Sequence, residues 1–356
     1  MSLRTPLIYK DVPQFGLDIG SHTAKLVQLV KHGSKVHVQG YGYCYFPKDA
    51  IVEGIIVDPE QMASAIKPLL KKLGFGKLTS KRAITGLPAA KVFTRTLQLP
   101  LMDQADLDQA VHYEVEQYVP VPVTDLYIDY EIVNRTAGKD GKDAHLDVLM
   151  MAAPRAIVDS YIKLFDALGL EISAIEASMT AVVRALLHSG DMGKNTLVMD
   201  IGSLSSDMTV YDEFTPLTGS VATGGEHYTQ ALVKNLKIKP DEATEIKVKF
   251  GIGPSGMREK VFPVLEPLLS NVAKEARRVI KFYEQRGEKA HKVERMVISG
   301  GSAAMPGLPE FFQAELRLPQ TAANPWNKLE VKDKNLNERE APMYATAIGL
   351  ALRGLK

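Results

Sequence analysis

The spacing of apolar residues changes several times along the chain between strand-like alternation and helical periodicity. Residues 15–45 alternate closely enough to predict three strands, with breaks expected at Gly33 and Gly40. Apolar residues then recur at helical spacing in residues 59–73 and 103–119, and each stretch predicts an amphipathic helix. Because strands and helices continue to alternate further on, the pattern predicts an α/β fold.

The second half of the chain repeats this order. Extended stretches flank Gly202, and a further strand is predicted over residues 295–298. The remaining helices are predicted over residues 157–168, 176–187, 224–236, 240–250, 263–285 and 342–354, and one more is predicted to start near Leu308. At 356 residues the chain is longer than one hydrophobic core usually covers, so two domains are expected.

The sequence Asp-Ile-Gly-Ser occurs twice, at residues 18–21 and 200–203, each time between two extended stretches. This arrangement predicts a hairpin at each copy, and two such hairpins suggest two related domains that face one ligand. Glycine lets a phosphate approach the backbone, hydroxyl and N–H groups can hold its oxygens, and each aspartate can hold Mg²⁺ through water. A single turn of this kind is usually only a hairpin turn, but two copies favour a phosphate ligand.

Other residues near these turns each have a functional and a structural interpretation. Lys25 can present its ammonium group to a phosphate, or it is a solvated strand lysine. The glycine pair at 224–225 begins a predicted helix whose N–H groups attract an anion. The pair at 300–301 leaves bare backbone for a base or ribose, although such loops are common in α/β proteins. Glu176, expected to open a helix, could orient an attacking water or be a surface glutamate.

Composition excludes several classes of protein. The chain has 43 basic and 42 acidic residues, so its net charge of +1 gives no reason to expect a nucleic-acid partner. Cys44 is the only cysteine, which excludes an intrachain disulfide and fits a reducing compartment. Residues 1–14 form a polar arm without the apolar core of a signal peptide, and no apolar stretch approaches the roughly 20 residues that span a bilayer. These features predict a cytosolic protein without a membrane span.

The order of an acidic turn, a second acidic turn and a glycine pair resembles the phosphate 1, phosphate 2 and adenosine elements of the actin, heat-shock protein and sugar-kinase superfamily. The Gly-Gly-x-x-x-Thr run at 224–229 narrows this resemblance to FtsA-like and PilM-like members. Residues 114–122 resemble the segment E-x-E-x-Y-I-P-F-P of the PilM family, and residues 152–155 and 344–354 are also similar to that family. The resemblance extends over residues 15–354.

This resemblance implies an actin-like ATPase fold, with two RNase H-like domains and a cleft for nucleotide. ATP would bind in the cleft with Mg²⁺, positioned by Asp18 and Asp200, and hydrolysis would be slow or absent. Glu176 is the candidate catalytic residue. The residues expected to contact the nucleotide are Gly20, Ser21, His22, Thr23, Lys25, Gly202, Ser203, Gly224, Gly225, Lys247, Gly300, Gly301 and Ser302.

The resemblance also implies four subdomains. The first large subdomain would comprise residues 1–87, 172–194 and 331–356. A small subdomain of residues 88–171 would be inserted into it, as in FtsA. The second large subdomain would comprise residues 195–223 and 293–330, and its small companion residues 224–292.

A PilM-like protein would be a cytoplasmic scaffold of type IV pilus assembly, peripheral to the inner membrane, whose conformation depends on nucleotide. Its expected partner is the cytoplasmic N-terminus of a PilN-like membrane protein, held in a groove between the first large subdomain and the inserted one. Other pilus assembly proteins and copies of the chain itself are further candidate partners.

Two alternatives stay open, an FtsA-like cell-division protein and a small-molecule kinase. The first would carry a membrane-binding helix after its last fold helix, where this sequence stops at Lys356, and the second a catalytic aspartate motif, which residues 83–133 lack.

Overall fold

A computed structural model of the chain describes residues 13–138, 144–187, 194–212, 217–285, 292–321 and 324–355. Most of the polar arm, residues 1–12, lies outside the described residues. The first half contains β1 (Gln14–Ile19), β2 (Thr23–His32), β3 (Lys35–Tyr45), β4 (Ile51–Val52), β5 (Ile55–Ile56), α1 (Pro59–Lys71), β6 (Phe75–Gly76), β7 (Arg82–Leu87), β8 (Phe93–Pro100), α2 (Gln104–Tyr118), β9 (Leu126–Thr136), β10 (His145–Pro154), α3 (Arg155–Leu168), β11 (Glu171–Ala177) and α4 (Ser178–Leu186). The second half contains β12 (Thr196–Ile201), β13 (Ser206–Tyr211), β14 (Leu217–Val221), α5 (Gly225–Leu236), α6 (Pro240–Lys249), α7 (Arg258–Glu284), β15 (Arg295–Ser299), α8 (Leu308–Leu316), β16 (Gln320–Thr321) and α9 (Ala345–Arg353).

Two larger sheets of like topology organise these elements. The first has the strand order β11-β7-β1-β2-β3-β6, and the second has the order β14-β13-β12-β15-β16. Strand β1 pairs antiparallel with β2 and parallel with β7, and β12 pairs in the same two ways with β13 and β15. The predicted α/β fold with two related halves is therefore confirmed.

Helices cover both faces of the first sheet. The alternation of β1 sends Phe15 and Leu17 into a core formed with α1 and α3. Gly16 faces the other way, toward α9, where a Cβ atom would lie 2.1 Å from the carbonyl oxygen of Ala347. Glycine at this position thus allows α9 to pack directly on the backbone of β1, beside the first acidic turn.

Helix α3 and residues 326–330 both pack on the first sheet, although the predicted boundaries assigned them to other subdomains. Helix α3, expected within the inserted subdomain, buries Tyr161 and Phe165 in the core of the first sheet. Trp326 and Glu330 were expected in the second large subdomain. Trp326 packs on Tyr41 of β3, and the Glu330 N–H donates to the carbonyl of Val36 at 2.8 Å. The chain therefore returns to the first sheet before residue 330.

The inserted unit has a separate hydrophobic core. Its sheet has the order β8-β10-β9, and α2 covers one face of that sheet. Val111 and Val115 of α2 are fully buried against Leu146 and Val148 of β10, as the helical spacing of this segment predicts. Asp103 caps α2 by accepting a hydrogen bond from the N–H of Asp106 at 3.0 Å.

Several predicted boundaries are wrong. Gly40 does not break a strand but lies inside β3, close to Leu73 and the backbone of residue 77, where a side chain would not fit. Glu176 ends β11 instead of opening a helix, and α4 begins at Ser178. Helix α7 begins at Arg258, before Pro263. Among the described residues, no helix combines the length and the apolar character that crossing a bilayer requires.

Candidate functional site

The two Asp-Ile-Gly-Ser sequences form matching hairpin turns. In the turn between β1 and β2, the N–H of Gly20 donates to the carbonyl of Thr23 at 2.9 Å. In the turn between β12 and β13, the N–H of Gly202 donates to the carbonyl of Ser205, also at 2.9 Å. The prediction of two acidic hairpin turns is confirmed, and each turn belongs to one of the two like sheets.

An ion pair joins the two strands of the first turn. Asp18 on β1 lies directly opposite Lys25 on β2, and the Lys25 Nζ is 3.0 Å from the Asp18 Oδ2. Only 13% of the Lys25 side chain and 12% of the Asp18 side chain are exposed. The alternative of a solvated strand lysine is therefore wrong, and the ammonium group lies beside the acidic turn.

The second turn pairs two carboxylates instead. Asp200 on β12 lies directly opposite Asp207 on β13. The Asp207 carboxylate accepts hydrogen bonds from the hydroxyl of Ser205, at 3.0 Å, and from the hydroxyl of Ser220. Burial raises the pKa of Asp207 above its usual value, and these hydrogen bonds oppose the rise. Asp207 was missing from the predicted site, although the sequence contains its signal: a second aspartate seven residues after Asp200, which a tight hairpin places directly opposite.

The charge of Asp200 is only partly compensated by its surroundings. Burial, together with the negative charges of Asp207 and Asp18, raises the pKa of Asp200 from 3.8 to about 7. The ammonium group of Lys25 and a hydrogen bond from Ser299 offset only part of this rise. Asp18 belongs to the first sheet and Asp200 to the second, so the two turns face each other closely enough to interact electrostatically.

This surplus of carboxylates suits a divalent cation. Asp18, Asp200 and Asp207 bring three acidic groups to the cleft, where Lys25 supplies one ammonium group. The described residues contain no cluster of three or more acidic, histidine or cysteine side chains arranged as a complete metal cage. Mg²⁺ does not need such a cage, because it commonly binds one or two carboxylates, water and the phosphates of a substrate. The two turns therefore fit Mg²⁺ held together with a phosphate ligand.

A salt bridge crosses the cleft beside the turns. The Lys48 Nζ, from the first half, is 2.7 Å from the Glu226 Oε1 at the start of α5. Burial acts to raise the pKa of Glu226, but hydrogen bonds from Lys48 and Gln230 outweigh it and hold the pKa below its usual value. The charge of His22 also helps to lower the pKa of Glu226. The Nδ1 of His22 is 2.5 Å from the carbonyl oxygen of Ser21. Its buried Nε2 has no hydrogen-bond partner among the described residues.

The glycine pair at 224–225 packs against the second turn. The N–H of Gly225 donates to the carbonyl of Gly202 at 2.9 Å, and the N–H of Glu226 donates to the carbonyl of Ser203 at 2.8 Å. A Cβ atom at Gly224 would lie 2.7 Å from both of those carbonyl oxygens. These two N–H groups therefore bind the turn, in contrast to the prediction that the start of this helix offers them to an anion.

Lys247 and Ser302 also join this arrangement. The Lys247 Nζ donates to the carbonyl of Gly225 and to the hydroxyl of Thr229, each at 2.8 Å. Burial lowers the pKa of Lys247. The hydroxyl of Ser302 donates to the carbonyl of Gly202 at 3.2 Å. Both side chains therefore lie at the junction between the second turn and α5.

The two glycines that follow β15 differ in their surroundings. Gly300 has a φ of 93°, and its N–H donates to the carbonyl of Pro342 at 3.2 Å. A Cβ atom there would lie 2.5 Å from the carbonyl oxygen of Ile201. Gly301 has open space where its Cβ would be. Gly300 thus fixes the backbone, and Gly301 provides the open surface that a flat group could contact.

Glu176 has structural partners. The residue is 4% exposed, and its carboxylate accepts hydrogen bonds from Arg184, at 2.6 and 2.9 Å, and from Arg353, at 2.6 Å. Arg184 lies on α4 and Arg353 on α9. Both carboxylate oxygens therefore bind guanidinium groups and connect β11 to two helices, so Glu176 is neither at a helix start nor a surface glutamate. This pairing does not support its expected role in orienting a water.

A groove separates the inserted unit from the second half of the chain. Its volume is about 430 Å³, and its walls include Phe93, Arg95, Tyr118, Gly219 and Arg278. The Arg95 guanidinium lies 3.6 Å from the centre of the Tyr118 ring. Tyr118 belongs to the 114–122 segment that resembles the PilM family, and half of its surface is exposed.

Two sheets of like topology, whose acidic hairpin turns face each other across a cleft, define an actin-like ATPase fold. A family model described as type IV pilus assembly protein PilM matches residues 16–355. The chain belongs to the PilM family. This membership decides between the classes that the sequence left open, and the predicted resemblance is confirmed.

Solved structures and curated relatives agree with this fold. The PilM–PilN type IV pilus biogenesis complex superposes with a TM-score of 0.83 at 23% identity, covering 98% of this chain and 100% of that chain. MreB 5 of Spiroplasma citri bound to AMPPNP superposes with a TM-score of 0.58 at 12% identity, covering 97% and 96%. Cell division protein FtsA of Streptococcus pneumoniae is 22% identical over 335 residues, covering 84% of this chain and 72% of FtsA.

Proposed function

We propose that this chain binds ATP with Mg²⁺ between the two acidic turns. The observation that carries this proposal is the excess of carboxylates over ammonium groups at Asp18, Asp200, Asp207 and Lys25, which the Mg²⁺ ion of a metal–phosphate complex would offset. The likeness to an MreB bound to AMPPNP supports a nucleotide as the ligand. Bound Mg²⁺ would screen the phosphate charges.

Within this proposal, the residues of the chain have distinct roles. Asp18 and Asp200 hold the metal from opposite sides of the cleft, and Lys25 directs its point charge at a phosphate oxygen. The open backbone at Gly301 contacts the adenosine. Because Glu176 is committed to two arginines, no described contact supplies a base for water attack, and we expect hydrolysis to be slow.

We further propose that the chain is a cytoplasmic scaffold of pilus assembly that reaches the inner membrane through a partner. The partner is the N-terminal peptide of a PilN-like protein, which we place in the groove between the inserted unit and the second half, and not between the inserted unit and the first large subdomain as the resemblance implied. The likeness to the PilM–PilN complex supports this, as does the groove lined by Arg95 and Tyr118. Nucleotide would act on the peptide site by fixing the angle between the halves that border this groove.

Nucleotide binding is tested by calorimetry with AMPPNP and Mg²⁺. We expect Asp200→Ala to weaken binding by more than about tenfold, because it removes one of two metal-holding carboxylates. Asp166→Ala is the matched control, since this exposed aspartate on α3 is remote from both turns. Equal affinity of wild type and Asp200→Ala, with an unchanged circular dichroism spectrum, would contradict the proposed site.

Peptide binding is tested with the N-terminal peptide of a PilN-like protein from the same organism. We expect Tyr118→Ala to weaken the binding measured by fluorescence anisotropy by about tenfold, because an aromatic anchor in a groove carries much of an interface's affinity. Tyr113→Ala on the same helix is the control; this residue is 63% exposed and is not part of the groove wall. Similar losses in both variants would place the peptide elsewhere.

A further inference from the structure

One long segment of the chain has basic residues and no acidic ones. Residues 61–102 contain eight lysines and arginines and no aspartate or glutamate, although the net charge of the whole chain is only +1. The rest of the sequence therefore has an acidic excess. Such an asymmetry indicates a local electrostatic surface that the overall charge conceals.

Three of the eight residues have partners within the fold. Arg82 is 3.0 Å from Glu171, Lys91 pairs with Glu53, and Arg95 lies over the ring of Tyr118. The other five are exposed lysines, and within the residues that the structure describes none of them forms an ion pair. We call these five residues the lysine surface: Lys67, Lys71, Lys72, Lys77 and Lys81.

The path of the chain places these lysines close together. Lys67, Lys71 and Lys72 lie in the last turns of α1 and directly after it. The chain then crosses the end of the first sheet at which β1 begins. Gly76 pairs with β3, Thr79 exchanges two hydrogen bonds with Gln28 of β2, and β7 begins at residue 82. Because neighbouring strands are about 4.8 Å apart, this path spans only about 20 Å.

The lysine surface lies at the opposite end of the sheet from the acidic turns. Ser80 donates a hydrogen bond to the carbonyl of Pro13, directly before β1 begins, whereas Gly20 follows the other end of β1. The six residues of β1 extend about 20 Å. A large object could therefore rest on the lysine surface without covering the cleft.

The chemistry of this surface favours a bilayer over a folded partner or a nucleic acid. Lysines are compact, hydrated point charges on flexible stems, which suit a fluid array of phosphate groups better than a fixed hydrogen-bond pattern. Between Lys67 and Lys81 the only aromatic residue is Phe75, which packs on Tyr41 and offers no exposed ring for base stacking. We propose that the lysine surface binds the anionic headgroups of a lipid bilayer directly, in addition to any contact through a partner protein.

Sedimentation with lipid vesicles tests this proposal. We expect the whole chain to bind vesicles of phosphatidylglycerol and phosphatidylcholine weakly, and vesicles of phosphatidylcholine alone not at all. Each lysine near an anionic surface strengthens binding roughly fivefold, so K71Q/K72Q/K77Q should reduce binding at least about tenfold. The matched control K234Q/K239Q/K260Q removes three exposed lysines from the second half and should bind like wild type. Raising the salt concentration should release the wild-type chain.

Three outcomes would overturn the proposal. They are equal binding by the two triple variants, binding to phosphatidylcholine alone, and tighter binding to duplex DNA than to anionic vesicles at the same salt. Calorimetry with AMPPNP separates this result from the proposed nucleotide site, because K71Q/K72Q/K77Q should keep its nucleotide affinity. It also serves as the check that the variant is folded.

Discussion

Asp200 is the residue on which the electrostatics of the cleft act most strongly. It has carboxylates on two sides, Asp207 across the hairpin and Asp18 from the other sheet, and only Lys25 and a hydrogen bond from Ser299 oppose their effect on its pKa. The Asp200 carboxyl therefore stays protonated until the pH reaches about 7, and a bound cation would displace that proton. Asp18 and Asp200 could be predicted from the turn sequence, whereas the opposition of Asp200 and Asp207 depends on the hairpin register.

Asp200→Asn should stabilise the ligand-free chain in a pH-dependent way. The pKa of Asp200 is raised on folding, so its carboxyl contributes most stability below about pH 4 and loses that contribution as the pH rises through about 7. Asparagine does not ionise. We therefore expect the gain in unfolding free energy to be larger at pH 8 than at pH 5, by at least about 1 kcal/mol.

Urea unfolding without nucleotide or divalent cations measures this difference. Asp166→Asn, an exposed aspartate on α3, should show no such pH dependence. A gain that is equal at both pH values would mean that the Asp200 carboxyl ionises normally in the folded chain.

At the scale of elements, the crossing of α4 and α9 supports the first sheet. Gly349 of α9 comes so close to α4 that a Cβ atom would lie 1.8 Å from the carbonyl oxygen of Ala181. Arg184 of α4 donates both to the carbonyl of Gly349, at 2.9 Å, and to Glu176. The close backbone approach and the buried charge cluster therefore fix the same crossing.

Gly349→Ala should destabilise the chain by at least about 2 kcal/mol, because a buried methyl group cannot fit without moving one helix. Thermal unfolding measures the loss. Gly256→Ala is the control, since nothing lies within 4 Å of its Cβ position, and its effect should stay within about 1 kcal/mol. A small effect at Gly349 would show that the two helices can separate at little cost.

The periodicity of the sequence predicted most elements, because each buries one regular face against a core. It was less successful where a single residue decides a boundary. Glu176 was expected in a helix because polar residues favour helix starts, but its charge is compensated by Arg184 and Arg353, the latter from the other end of the chain. Gly40 was expected to break a strand. Instead, the strand continues and has glycine there because Leu73 occupies the space that a side chain would need, which the sequence does not show. Contacts between distant segments were the missing information in both cases.

At the scale of the whole molecule, Lys48 and Glu226 join the two halves across the cleft. Lys48 is 67% exposed, so the pair adds little to stability, roughly 0–1 kcal/mol. Its importance is geometric, because it connects residues 178 positions apart beside both acidic turns. No sequence pattern could have indicated this pairing.

Lys48→Glu should open the cleft by placing like charges on its two sides. We expect a larger radius of gyration in small-angle X-ray scattering without nucleotide, and recovery in the double variant K48E/E226K. Lys35→Glu is the matched control; Lys35 begins β3, is 66% exposed and pairs with Glu330, which bridges to His37 of the same strand, so this pair does not cross the cleft. An unchanged radius for Lys48→Glu would show that other contacts hold the halves together.

The return of residues 326–353 to the first sheet has a consequence for folding during synthesis. Strands β1, β2 and β3 leave the ribosome early, but the face that they present to Trp326 and α9 stays uncovered until those late residues emerge. The inserted unit, whose core residues all lie between 97 and 152, can fold much sooner. Nascent chains halted at successive lengths should therefore protect the inserted unit from proteolysis first and the first sheet last.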